Sequence, residues 1–129
     1  IRNIGNMMNF IHQGNTDIDD VAHFMKHPEL AAEILDQWSE VPSGVSALVL
    51  CHHELPDGSG FPRKLDHTEI SLLSATFILA EDFVDFRFES GDQMNVEDYL
   101  IRRSEKFSLG EFTRAFSALK SVWMKAKAA

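Results

Sequence analysis

Apolar residues recur at helical spacing along almost the whole chain, and that period constrains the fold more than any single residue does. Residues 17–38, DIDDVAHFMKHPELAAEILDQW, put Ile18, Val21, Phe24, Met25, Leu30, Ile34, Leu35 and Trp38 near one stripe of a helix. Thr16 or Asp17 is a candidate cap for its start, and Pro28 predicts a break or kink within it. A second helix is expected from Ser43, SGVSALVLCHHE; it is apolar nearly all round and so expected at the centre. Pro56 and the run Asp57, Gly58, Ser59, Gly60 then force a loop. Glu69 to Phe88 reads as a long third helix, Asn95 opens another, and Ser108 to Glu111 has the spacing of a capping box for the last. On that last helix Phe112, Phe116, Leu119 and Trp123 form the expected buried face, and Lys125 to Ala129 is expected to fray. No stretch reads as a strong strand, and there is no internal repeat or low-complexity segment. The predicted class is all-α, a bundle of five to six helices.

A chain of 129 residues is one domain with enough length to bury a core. Twenty acids against 12 bases leave a net charge of −8, which gives no electrostatic footprint for nucleic acid or an anionic membrane. A local basic pocket for a phosphorylated ligand is compatible with that balance. The single cysteine, Cys51, excludes an intrachain disulfide framework and fits a reducing cytoplasm, where the protein is expected. No apolar run is long enough to cross a bilayer and no signal peptide precedes the fold. The chain opens on Ile1 without a methionine, so residues 1–129 are expected to be one domain truncated on its N-terminal side.

Chemistry is concentrated in CHHELPDGSGFP, Cys51 to Pro62. His52 and His53, adjacent on a helix, project about 100° apart, so one can face the bundle centre and the other an adjoining site. Neutral imidazole is a common ligand for zinc, iron and manganese. A histidine pair near a helix C-terminus also complements the macrodipole with no metal at all. Glu54 fits either a partner behind such ligands or a solvated acid. Gly58 and Gly60 permit positive φ, and Pro62 stiffens the exit, as any tight interhelical turn would require.

As a whole, HHELPDGSGFPRKL strongly resembles the signature of the HD-GYP family, in which HHE is followed by two residues and DGSGYP; Phe61 stands where that family has tyrosine. Downstream, ISLLSATFILAEDFVDF resembles the family's helix bearing an alanine-aspartate pair, with Asp82 at the metal-binding aspartate, Glu81 at the alanine and Asp85 three residues on. Upstream, HPELAAEIL resembles its histidine-proline segment, which makes His27 a ligand candidate and His23, one turn earlier, the weaker one. His12 and His67 fall in predicted loops and take no role. The resemblance covers roughly residues 1–88 and implies an HD-domain-like helical bundle, a two- or three-metal centre and hydrolysis of cyclic di-GMP. It also implies that the loop Asp57, Gly58, Ser59, Gly60, Phe61, Pro62 meets a protein partner in a signalling pathway, a diguanylate cyclase (GGDEF) domain being the family's example.

The pattern breaks at the start of the chain. Where the family has its His-Asp pair and then Ile-Gly-Lys, this sequence reads Arg2, Asn3, Ile4, Gly5, Asn6. Arginine has no lone pair for a metal, and asparagine offers no anionic bridge between two cations. Two ions about 3.5–4 Å apart need such a bridge to offset their repulsion. Nor can Asn6 give a phosphate the charge of the family's lysine. Past Asp82, where the family carries cations toward the ligand phosphates, FESGDQMN offers acids, with Arg87 offset, which argues against cyclic di-GMP binding. No catalytic residue is therefore expected. His27, His52, His53 and Asp82 remain as ligands for a single divalent ion (iron, manganese or zinc) if they converge. The expectation is a degenerate HD-GYP module acting by interaction or regulation; the alternative is a metal-dependent phosphohydrolase with a reduced metal site.

Overall fold

Leu72–Ser90, a 19-residue helix of mostly apolar sequence, contributes Ala75, Ile78, Leu79 and Phe86 to the core. The computed structural model describes residues 18–129. Within them lie five α-helices: α1 (Ile18–Asp36), α2 (Val45–Cys51), α3 (Leu72–Ser90), α4 (Val96–Arg103) and α5 (Glu111–Ala128), with a single 3-10 turn, Gly91–Gln93, after α3. Among the described residues there is no strand, only an isolated bridge between Asp57 and Asp66. The all-α bundle expected from the periodicity is what forms. Thr16, Asp17, His12 and the departures at Arg2, Asn3 and Asn6 lie outside the described residues.

Two of the helix starts follow from local chemistry. Ser71 Oγ accepts from the Ser74 amide at 3.2 Å and caps α3. Asn95 and Asp98 exchange side-chain and backbone bonds at 2.9 and 3.0 Å, a full capping box for α4. The box expected at Ser108 does not form. Ser108 Oγ donates instead to the Glu105 carbonyl, and Gly110, at φ 57°, starts α5 with no side-chain cap. A side chain there would strike His67, whose carbonyl oxygen is 2.6 Å from a Cβ built on Gly110; close approach of two loops decides this terminus. Nor does the C-terminal tail fray, since α5 runs to Ala128 with Lys125 and Lys127 favourably placed in its last turn.

The core gathers Ala75, Ile78, Leu79 and Phe86 of α3, Tyr99 and Leu100 of α4, and Phe112 and Ala115 of α5, closed by Ile70 and Phe107. Phe107 and Phe112 stack at 5.5 Å, and both are fully buried. On the last helix Phe116, Leu119 and Trp123 are only partly buried against this core. Helix α1 packs mainly on α2, α3 on α5, and α2 meets α3. The expectation that the second helix is central is corrected: α2 is seven residues long and buries only Cys51. Its apolar character serves contact with α1 on one side and α3 on the other. The histidines sit where the α1–α2 pair meets α3.

Candidate metal centre

Proline in a helix interior cannot donate to the carbonyl four residues back. In α1 that residue is Pro28 and the released carbonyl belongs to Phe24. The helix nevertheless continues through Pro28, which is fully buried, so the expected break does not occur. The freed carbonyl is taken up next door, where the His27 ring accepts no alternative: its Nδ1 lies 2.5 Å from Phe24 O. A carbonyl only accepts, so Nδ1 carries the proton and Nε2 is left with a lone pair. The proline thus supplies the acceptor that orients the histidine before it.

His52 is fixed by the same logic at the end of α2. Its Nδ1 donates to the carbonyl of Val49 in the last turn of the helix, which the His52 backbone amide reaches only at 3.5 Å. The two sequence-level roles for the pair are therefore compatible, since His52 caps the helix with one nitrogen and offers the other. His53 turns its Nε2 to 3.1 Å from His27 Nε2, and His52 Nε2 is also 3.1 Å from that atom. The ligand nitrogens of all three lie within 4.8 Å of one another.

This arrangement is electrostatically incomplete as neutral imidazoles. His27 and His52 both hold their proton on Nδ1, so two Nε2 lone pairs oppose each other at 3.1 Å. A cation between them, a proton or a metal ion, removes the conflict. Three nitrogens at about 2.0–2.1 Å from a tetrahedral ion stand about 3.3–3.4 Å apart, close to the spacing of the two His27 contacts. Burial, with His52 and His27 adjacent, pushes His53 down to about 3, which keeps it neutral and ligand-competent. The residues fit one divalent ion.

Asp82 does not join them. Its Oδ2 accepts from Arg103 Nε at 2.9 Å and from Tyr99 Oη at 3.0 Å, and its Oδ1 faces Lys106 Nζ at 2.8 Å. The sequence expected three imidazoles and this carboxylate to converge; in this geometry Tyr99 and Arg103 of α4, with Lys106 just beyond it, occupy the Asp82 oxygens. Burial, and then the Asp82 charge, push the Tyr99 phenol well up, so it stays a donor. His23 is exposed and bonds the Asp19 carbonyl at 2.9 Å, outside the cluster. Arg87 donates to the Gly91 and Met94 carbonyls and closes the turn after α3. Among the described residues no carboxylate joins the three histidines within that 4.8 Å separation.

Two further residues went unassigned from sequence. Glu54 is neither solvated nor a partner of the histidines: at 0% exposure its two oxygens accept from the Arg63 and Leu65 amides, each at 2.8 Å. It clamps the far end of the loop. Glu81 has one oxygen, Oε2, buried with no hydrogen-bond partner, a condition costing about 1–3 kcal/mol. Nothing in its spacing distinguishes it from a surface acid.

The loop itself folds inward. Phe61 N donates to the His53 carbonyl at 3.1 Å, and the Phe61 ring lies 4.8 Å from the His53 ring at 33°. Gly60 is buried, and a Cβ on it would stand 2.4 Å from His53 O and 2.5 Å from Glu54 Cα. Gly58 (φ 78°) and Pro62 are partly buried, while Asp57 and Ser59 are exposed and joined by a 2.9 Å bond from the Ser59 amide to Asp57 Oδ1. Of the six loop residues from Asp57 to Pro62, Asp57 and Ser59 are the exposed ones. Beside the histidines opens a cleft of about 770 Å³, bounded also by Phe24, Phe86, Glu81 and Lys106.

The all-α bundle brings together one histidine from within α1 and two from the end of α2, an arrangement that could hold a metal ion. The model of the HD domain family matches residues 1–98, so the chain belongs to the HD domain family. That family has a metal-dependent phosphohydrolase-type fold. No curated protein and no solved structure matches the chain.

The role given to Pro28 has a measurable consequence. Pro28→Ala restores a backbone donor to Phe24 O, in competition with His27 Nδ1. Helix α1 gains about 3 kcal/mol of intrinsic propensity, partly offset by the lost buried ring. Zinc affinity is expected to fall about 10–100-fold, the usual cost of losing the group that orients a histidine ligand. Calorimetric titration checks the affinity and urea unfolding the stability; an unchanged affinity would show that Phe24 O does not orient the ring.

Proposed function

We propose that the chain is a regulatory module of the HD-GYP type that holds one divalent ion on His27, His52 and His53 and does not cleave cyclic di-GMP. The observation that carries this is the pair of 3.1 Å contacts on His27 Nε2, a geometry that asks for a cation. The engagement of Asp82 by Arg103, Lys106 and Tyr99 supports a single ion, because it withdraws the carboxylate that a second would need. Arg2 and Asn3, at the family's His-Asp positions, support the same conclusion from their chemistry alone.

When bound, the ion supplies the positive charge that the opposed Nε2 lone pairs of His27 and His52 lack. The chain does the rest. His27 is on α1, and His52 and His53 follow α2, so loading fixes α1 against the start of the Pro56–Pro62 loop. Phe61 rests on His53 and passes that order to the exposed Asp57 and Ser59, the surface offered to a signalling partner such as a GGDEF domain.

The test pairs metal analysis of the purified protein with a cyclic di-GMP hydrolysis assay under added manganese or iron. One equivalent of metal and no turnover are expected. Turnover that His52→Ala abolishes would instead establish a phosphohydrolase with a reduced metal site, and metal-free protein after incubation with each ion would remove the metal-holding role.

A further inference from the structure

Three nitrogens leave a tetrahedral ion one ligand short. Helix α3, against which α2 packs, carries four acids along the cleft: Glu81, Asp82, Asp85 and Glu89. Asp82 is committed to Arg103, Lys106 and Tyr99. Glu81 is the acid with a buried oxygen and no donor to satisfy it. Burial and then the Asp85 charge raise its carboxyl pKa, while His27 acts in the opposite direction. Glu81 lines the same cleft as His52 and His53, and a desolvated carboxylate oxygen with no proton donor is what a cation would satisfy.

We propose that Glu81 is the fourth protein ligand of the ion held by His27, His52 and His53. It takes the carboxylate role from Asp82, its neighbour in sequence, which the α4 cations have drawn away. Ligation takes a rotation of the side chain, since its oxygen does not stand with the three nitrogens within 4.8 Å; no hydrogen bond on Oε2 opposes that turn. The donor set becomes three imidazoles and one carboxylate, a closed four-coordinate site of the structural kind, with no position left for a water nucleophile. This inference rests on the proposed three-histidine ion site and gives a physical reason for a binding role without hydrolysis.

The experiment titrates the full chain with zinc, and with cobalt(II) as a visible probe of coordination. Wild type, Glu81→Gln and Asp82→Asn are compared, with melting followed before and after zinc. Wild type is expected to bind one equivalent. Glu81→Gln should lose at least about 100-fold in zinc affinity, the upper end of what an outer partner costs, and should change the cobalt absorption. Its metal-free form should melt no lower than wild type, because the amide removes a buried charge that has no partner. Asp82→Asn should keep the wild-type affinity. If wild type binds one equivalent and Glu81→Gln matches it in affinity and cobalt spectrum, Glu81 is not a ligand while the three-histidine site stands. Should Asp82→Asn alone lose affinity, the ligand is Asp82 and the assignment to Glu81 fails. A wild type that takes up neither ion overturns the site and the fourth ligand together. If Glu81→Gln fails to fold, Glu81→Asp gives the decision, since the shortened carboxylate should weaken zinc binding with the fold intact and wild-type affinity would overturn the ligand role.

Discussion

Protein carrying His27→Ala is expected to show no stabilisation by zinc, at concentrations that raise the melting temperature of the wild type by several degrees. His27 Nε2 lies 3.1 Å from Nε2 of both His52 and His53, so its removal leaves them without the ligand atom that joins α1 to them. An ion that binds the folded state alone, at a hundred times its dissociation constant, stabilises it by about 2.7 kcal/mol. That increment disappears in the variant. Without metal the same substitution costs far less, because it also removes a lone-pair conflict. The two effects have opposite leanings, and this separates a ligand from a residue that merely packs. His23→Ala, on the same helix but exposed, should keep the full zinc-dependent shift. Differential scanning fluorimetry with and without zinc reads both variants; an undiminished shift in His27→Ala would show that the ion binds elsewhere.

Much of the fold and part of the site could be read along the chain, for reasons tied to particular residues. The helices announced themselves through period and caps: Asn95 with Asp98, and the long apolar run after Ser71. The histidines were legible because HHE and the glycine-rich loop survive together, and His27 because a proline follows it. What could not be read depends on side chains meeting across elements. Asp82 carries the family's position, but Arg103 and Lys106, some twenty residues further on, decide where its charge is spent. Ser108 has the spacing of a cap, but the approach of His67 to Gly110 determines the terminus. Pro28 reads as a breaker by local rule, and α1 continues because the His27 ring occupies the carbonyl it releases. Glu81 is marked in the sequence only as an acid at the family's alanine position; its burial without a partner shows only in the fold.

The other large effect belongs to Glu54, whose replacement should damage the domain more than any surface acid would. Its carboxylate makes two charge-assisted bonds to the Arg63 and Leu65 amides and is fully buried. Such bonds contribute about 1.5–3 kcal/mol each, so Glu54→Ala should lose about 3–6 kcal/mol, a large share of the roughly 5–15 kcal/mol typical of a domain. Glutamine is no rescue. Both oxygens accept, and an amide would turn an NH2 group toward one of the two backbone donors, leaving it unpaired at a cost of about 1–3 kcal/mol. Urea unfolding should therefore order the midpoints as wild type, Glu54→Gln, Glu54→Ala. The loop has a second fixed point at Gly60, where a methyl group meets only backbone atoms of His53, Glu54 and Leu55 and no rotamer change can relieve the clash. Gly60→Ala should accordingly lower the midpoint as well. It should also weaken zinc binding, because Phe61 can no longer rest on His53. A Glu54→Ala midpoint equal to wild type would mean that the Arg63 and Leu65 amides do not depend on the carboxylate. If the loop is held as described, stability and metal affinity fall together in Gly60→Ala, whereas His27→Ala loses the metal and keeps the loop.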